Sequence, residues 1–252
     1  MIFQYFALVV AGFIGGFFGS AVGSAGLVSL PVLLFFGLSP HAAIGTSRPA
    51  AAVLELFSAL RYRQQKVLTD ALIRRGLFLG VAGAVGSTIG ALLIVAVSDQ
   101  TLRLLLALVI LSMAVFIFMK KNWGMTEHPD RQRHIVLLAL ATLLSGLYAG
   151  FFGFTFGTVI TIVFAGFGYT LLQGAAMGRV VGTLTSIASS IIFMSHGYVN
   201  IPYAVALSIG FAIGGWFGAR YAVKGGNRYV KILLIAVIAC SVVKLLFDYF
   251  VQ

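Results

Sequence analysis

From Gly76 to Val97 the chain runs for 22 residues without one charged side chain. That length matches the roughly 20 residues a helix needs to cross a hydrocarbon layer of ~30 Å. Comparable apolar runs cover residues 3–20, 22–38, 102–119, 135–152, 155–166, 173–194 and 230–250. They are rich in Leu, Ile and Val without strict alternation, which argues for helices and against a transmembrane barrel. Only 9% of the residues are charged, where a soluble domain would carry about 25%. The chain therefore reads as an all-α polytopic membrane protein.

A net charge of +11 invites a nucleic-acid reading, but the placement of the charge opposes it. Arg61 to Arg75, Lys120 to Arg133 and Arg220 to Lys231 are short basic stretches beside apolar runs, where cations orient the chain and meet anionic headgroups. The expected partner is the lipid bilayer. The single cysteine, Cys240, excludes an intrachain disulfide and a multi-cysteine metal site. His41, His128, His134 and His196 form no metal-binding spacing, and no Ser-His-Asp order, phosphate loop or HExxH pattern appears. Enzyme chemistry, metals and cofactors find no support. The N-terminus lacks the basic n-region of a cleaved signal, so it reads as the first membrane segment.

The chain repeats itself. Gly16-Phe17-Phe18-Gly19 returns as Gly150-Phe151-Phe152-Gly153, the hydrophobic sequence around Arg48 returns around Arg179, and the glycine-rich run from Gly76 to Gly90 returns from Gly210 to Gly218. The offset is roughly 130 residues, so the chain divides into a first transmembrane repeat at 1–125, a linker at 126–134 and a second repeat at 135–252. Glycines 76, 80, 83, 86 and 90 fall on one helical face and allow close helix packing. Equivalent loops carry opposite charge: Arg61's loop is basic where the His196 turn is neutral, and the Asp99 turn is neutral where the Lys224 turn is basic. By the positive-inside rule this predicts repeats of inverted topology, an odd number of crossings in each, and both termini outside. The glycine- and serine-rich break at 19–24 and the Gly-Phe-Phe-Gly step before Thr155 predict broken or short helices at the centre.

Arg48 and Arg179 are the sharpest features. A guanidinium at mid-membrane depth costs at least ~2.5–3.5 kcal/mol, so it normally faces an aqueous or paired environment. One reading is an anion site shared by the two halves; the other is that each arginine meets backbone carbonyls or pairs across helices with Glu55. In a strict alignment of the halves, Arg179 falls two or three positions away from Arg48. Glu55 lies seven residues after Arg48, too far for a simple intrahelical pair. It is a candidate for carrying a coupling proton, with a structural ion pair as the alternative. Ser20, Ser24, Thr46 and Ser47 in the first half, and Thr155, Thr158 and Thr183 in the second, are candidate hydroxyl donors beside the uncapped ends of broken helices. For any one of them tight packing is the plainer explanation. Pro49 removes a backbone donor and is expected to kink its helix near Gly45, as a hinge or a static bend.

The run GFIGGFFGSAVGSAG, followed by Leu30 to Leu34, Gly37 to His41 and Ala43 to Ser47, resembles the TauE/SafE sulfite exporter family over nearly the whole chain. The family's glycine-rich box is more nearly G-x-G-G-G, and Gly23-Ser24-Ala25-Gly26 replaces part of it here. The resemblance implies a membrane transporter, expected in the bacterial cytoplasmic (inner) membrane, that exports sulfite, sulfonates or related anions. Combined with the arginines, it gives a secondary transporter working by alternating access at the repeat interface. The competing readings are an anion channel, or a structural or biogenesis factor whose glycine faces bind partner helices or a second copy.

Overall fold

The breaks and caps read from the sequence set the element order. In a computed structural model describing residues 2–94, 125–153 and 155–250, with side chains to 236, all regular structure among the described residues is helical. The first half contains α1 (Ile2–Val22), α2 (Gly26–Phe35), α3 (Pro40–Gln64) and α4 (Asp70–Ile94). A 3-10 turn at Pro129–Arg133 precedes α5 (Ile135–Phe151), α6 (Phe156–Gly166), α7 (Leu171–Ser195) and α8 (Ile201–Phe250). The expected segment at 102–119 and the Asp99 turn lie outside the described residues. α8 runs through the expected joint at 224–228 and kinks at Gly226, whose φ of 63° is left-handed.

Local chemistry explains the boundaries. Ser39 caps α3 by accepting from the Ala42 amide at 3.3 Å, with Pro40 in the first turn. Thr170 caps α7 in a full capping box with Gln173. Replacing Thr170 by alanine is expected to cost about 1 kcal/mol, measurable as a lowered unfolding temperature, with little change for Ser195→Ala at the exposed far end. α2 has 10 residues and α6 has 11, so at 1.5 Å per residue neither crosses the membrane. Among the described residues, four helices are long and apolar enough to do so: Phe3–Val22, Asp70–Ile94, Leu171–Ser195 and Ile201–Ala236. Their outward faces carry Phe3, Phe6, Phe78, Val81, Ile191 and Val205, all exposed, as lipid contact requires.

The two halves interlock. α1 and α3 pack on α8 of the other half, while α5 and α7 pack on α4. Glycine makes this possible: a Cβ on Gly86 would lie 2.0 Å from the Leu143 carbonyl oxygen, and one on Gly210 would lie 2.1 Å from that of Val9. α3 and α7 meet at the centre and pass in opposite directions. Glu55, late in α3, reaches Arg179, early in α7, whereas Ile44 and Phe193 share a cluster at the opposite end. The basic loops gather at one end, where Arg75 donates to the Tyr169 hydroxyl and Asn227 binds Leu172 and Met125.

The structural equivalence of the halves differs from the sequence match. α3 and α7 each have 25 residues. Arg48 lies nine residues beyond its cap at Ser39, and Arg179 lies nine beyond its cap at Thr170. The two arginines therefore hold the same place relative to their caps, at an offset of 131, without the displacement of two or three positions that the sequence match gives. The difference comes from the Gly-Phe-Phe-Gly motifs, which lie 134 residues apart. The left-handed break glycines are Gly23 (φ 74°) and Gly153 (φ 69°), each three residues before its short helix. Gly153 is thus the counterpart of Gly23, and the motif in the first half sits one helical turn earlier.

Candidate functional site

The two breaks cross at the centre. A Cβ on Gly23 would lie 2.0 Å from the Cα of Gly157, so the backbones touch there and only glycine fits. This crossing brings the N-terminal ends of α2 and α6 to one small cavity of about 30 Å³. Neither end has a side-chain cap; the Leu27, Val28 and Thr158 amides turn back to the carbonyls of Ser24, Ala25 and Thr155, and the positive dipole end of each short helix faces the cavity. Its polar wall includes Ser29, Ser47, Arg48, Glu55 and Ser186; Leu54, Phe156 and Phe211 give an apolar wall.

Among the described residues only three charged side chains are buried, and all belong to this centre: Arg48, Glu55 and Arg179. Their arrangement is asymmetric. Arg179 is fully buried, and its Nη1 lies 2.9 Å from Glu55 Oε2 and donates to Oε1 at 3.1 Å. The same nitrogen donates to the Gly19 carbonyl at 2.9 Å, and Nε donates to Ala175 at 3.2 Å. Its Nη2 has no acceptor among the described residues and lies against Gly157. Arg48 is 3% exposed, and among the described residues it has no carboxylate partner and its Nε has no acceptor. Its guanidinium lies against Gly153, where a Cβ would fall 1.1 Å from Nη2. One arginine is neutralised and held in a network; the other brings an uncompensated charge to the cavity wall.

The candidate hydroxyls divide in the same way. Ser47 lines the cavity, although its Oγ donates to the Ile44 carbonyl at 2.7 Å. Ser24 is buried at the break but is not part of the cavity wall. Ser20 donates to Phe17 at 3.0 Å, Thr158 to Val22 at 2.5 Å and Thr183 to Arg179 at 2.9 Å, all through backbone carbonyls. Thr155 shares a hydrogen bond with the Tyr148 hydroxyl, and Thr46 accepts from the Asn200 amide at 2.9 Å. Thr46, Thr155 and Thr158 tie elements together, Ser20 and Thr183 bond within their own helices, and none of the five lines the cavity. Pro49 lies inside a continuous α3. Sequence reasoning left Ser29, Ser186 and Gly153 out of the site. Ser29 Oγ is buried and without a partner among the described residues, and its serine-rich break was the available signal. Ser186 had none while the repeat was out of register.

The matches to other proteins cover this whole arrangement. The family described as sulfite exporter TauE/SafE matches residues 8–245. A probable membrane transporter protein, ORF9, of Sinorhizobium sp is 27% identical over 244 residues, covering 96% of this chain and 92% of its own. The probable membrane transporter protein YfcA of Escherichia coli (strain K12) is 26% identical over 250 residues, with coverage of 97% and 88%. A probable membrane transporter protein of Methanocaldococcus jannaschii is 25% identical over 248 residues, with coverage of 92% and 91%. No solved structure matches. With a family match across almost the full chain, relatives named probable membrane transporters from end to end, and helices long and apolar enough to cross a bilayer, the chain belongs to the TauE/SafE sulfite exporter family and is a membrane transporter, not an enzyme.

Proposed function

We propose that the protein is a secondary transporter that exports small sulfur-containing oxyanions, such as sulfite or an organosulfonate, across the bacterial cytoplasmic membrane. The observation that carries this reading is the buried, unpaired Arg48 on a cavity faced by two uncapped helix ends. A buried cation without an acid, beside backbone N–H groups, is complementary to an oxyanion. The sulfur class comes from the family description.

The two halves act as inverted repeats with the site between them. Their opposite passage at α3 and α7, the exchange of packing partners and the single basic end all support this topology, which puts the basic end in the cytoplasm and the termini outside. Alternating access follows from rocking one repeat against the other. Pro49, next to Arg48 in α3, serves in this reading as the hinge. A cavity of about 30 Å³ holds a water or two, so binding a larger anion requires the halves to part, which favours a carrier over an open channel. Glu55 is held by Arg179; if it carries a coupling proton, that pair must break during the cycle.

The test is thermal unfolding of detergent-purified protein with sulfite, thiosulfate, sulfate, sulfoacetate, taurine, phosphate or chloride. A ligand at 100 times its Kd adds about 2.7 kcal/mol, so a sulfur anion is expected to raise the unfolding temperature where chloride does not. Equal shifts for all anions, or none, would overturn the sulfur-oxyanion site.

A further inference from the structure

The equivalence of α3 and α7 allows each half of the site to be compared with the other. Arg48 corresponds to Arg179, and at the same offset of 131 Glu55 corresponds to Ser186. The Glu55–Arg179 ion pair therefore has a counterpart, Ser186 with Arg48, from which the carboxylate is missing. Both residues of that counterpart line the cavity. So does Ala51, the equivalent of Gly182, and Gly182 is the residue over which the Glu55 carboxyl lies, its Cβ position being 2.7 Å from Cδ. The cavity is the vacant half of a twofold charge arrangement.

We propose that the transported anion takes the place of this missing carboxylate beside Arg48 and Ser186, and that it is therefore a monoanion, its charge set by serine at position 186. The inference rests on the anion-site reading of Arg48 and specifies its substrate. The buried centre holds two guanidiniums and one carboxylate, one positive charge in excess. A monoanion brings it to neutrality. A dianion leaves a net negative charge in a low-dielectric interior, where uncompensated charge is heavily penalised. The ligand class is thus a singly charged oxyanion with two or more oxygens on one centre, as in a carboxylate: an organosulfonate, or sulfite in its hydrogensulfite form.

The experiment compares methanesulfonate with sulfate at matched ionic strength on the full-length protein, by ligand-dependent thermal shift and by isothermal titration. Methanesulfonate is expected to bind the parent protein at least tenfold more tightly than sulfate. Ser186→Glu restores the carboxylate beside Arg48 and is expected to weaken methanesulfonate binding at least tenfold, without lowering the unfolding temperature of the unliganded protein. Should that variant not fold, the parent protein supplies a second test: methylphosphonate, which passes from monoanion to dianion as pH rises, is expected to lose at least tenfold in affinity relative to methanesulfonate across that change. Sulfate binding as tightly as methanesulfonate to the parent, or a folded Ser186→Glu protein that binds undiminished, would overturn the monoanion inference and leave the Arg48 site standing. Absence of binding by every anion would overturn the Arg48 site itself.

Discussion

Charge removal at the two repeat-equivalent arginines is expected to give opposite results. Arg179→Gln leaves Glu55 buried without its cation, and breaking a buried pair from one side costs about 3–5 kcal/mol. That is a large share of the roughly 5–15 kcal/mol that holds a typical domain folded, so the variant should unfold at much lower temperature or accumulate poorly. Arg48→Gln removes a charge that no carboxylate compensates. Its stability is expected to stay within about 1 kcal/mol of the parent, while anion-dependent stabilisation and transport disappear. The double change Arg179→Gln with Glu55→Gln removes both members of the pair and should recover most of the stability lost by Arg179→Gln alone. If Arg48→Gln proved as destabilising as Arg179→Gln, the division between a binding arginine and a structural one would fail.

The second large effect concerns the interlock between halves. In α4 and α5, Cβ atoms on Gly86, Gly90, Gly146 and Gly150 would lie 1.9–2.1 Å from backbone oxygens of the facing helix. α1 and α8 repeat the contact, with distances of 2.0–2.2 Å for Gly210, Gly214 and Gly218. A backbone oxygen cannot move aside as a side chain does, so Gly150→Ala must push α4 and α5 apart. Alanine gains roughly 1 kcal/mol in helix propensity, so a net loss of about 1–3 kcal/mol would isolate the packing cost by its sign. Gly178→Ala is the comparison, since its methyl meets only Ile160 Cγ2, at 2.8 Å. The measurement is unfolding temperature in detergent for each variant. A Gly150→Ala protein more stable than the parent would show that the helices do not need this approach.

Both predictions depend on where the sequence was sufficient and where it was not. Class, helical character, the paired breaks and the glycine faces follow from one-dimensional rules: apolar length against bilayer thickness, scarcity of charge, and the three- and four-residue spacing of small side chains. Even the importance of Arg48 and Arg179 was legible, because the cost of a buried guanidinium does not depend on its partner. What the sequence alone could not assign was which of them is compensated. Glu55 follows Arg48 by seven residues, yet it binds Arg179, 124 positions away, because α3 and α7 cross in opposite directions. Of the hydroxyls, Thr158 and Thr183 are satisfied by carbonyls and Thr46 by an amide, bonds that depend on backbone positions and not on residue type. The repeat register was also hidden, since one extra helical turn separates the Gly-Phe-Phe-Gly motif from the break in the first half and moved the alignment off Ser186. Sequence thus determined which charges must be compensated, through the cost of burying them. Only the tertiary structure decided by what, because compensation acts over a few ångströms in space and is indifferent to distance along the chain.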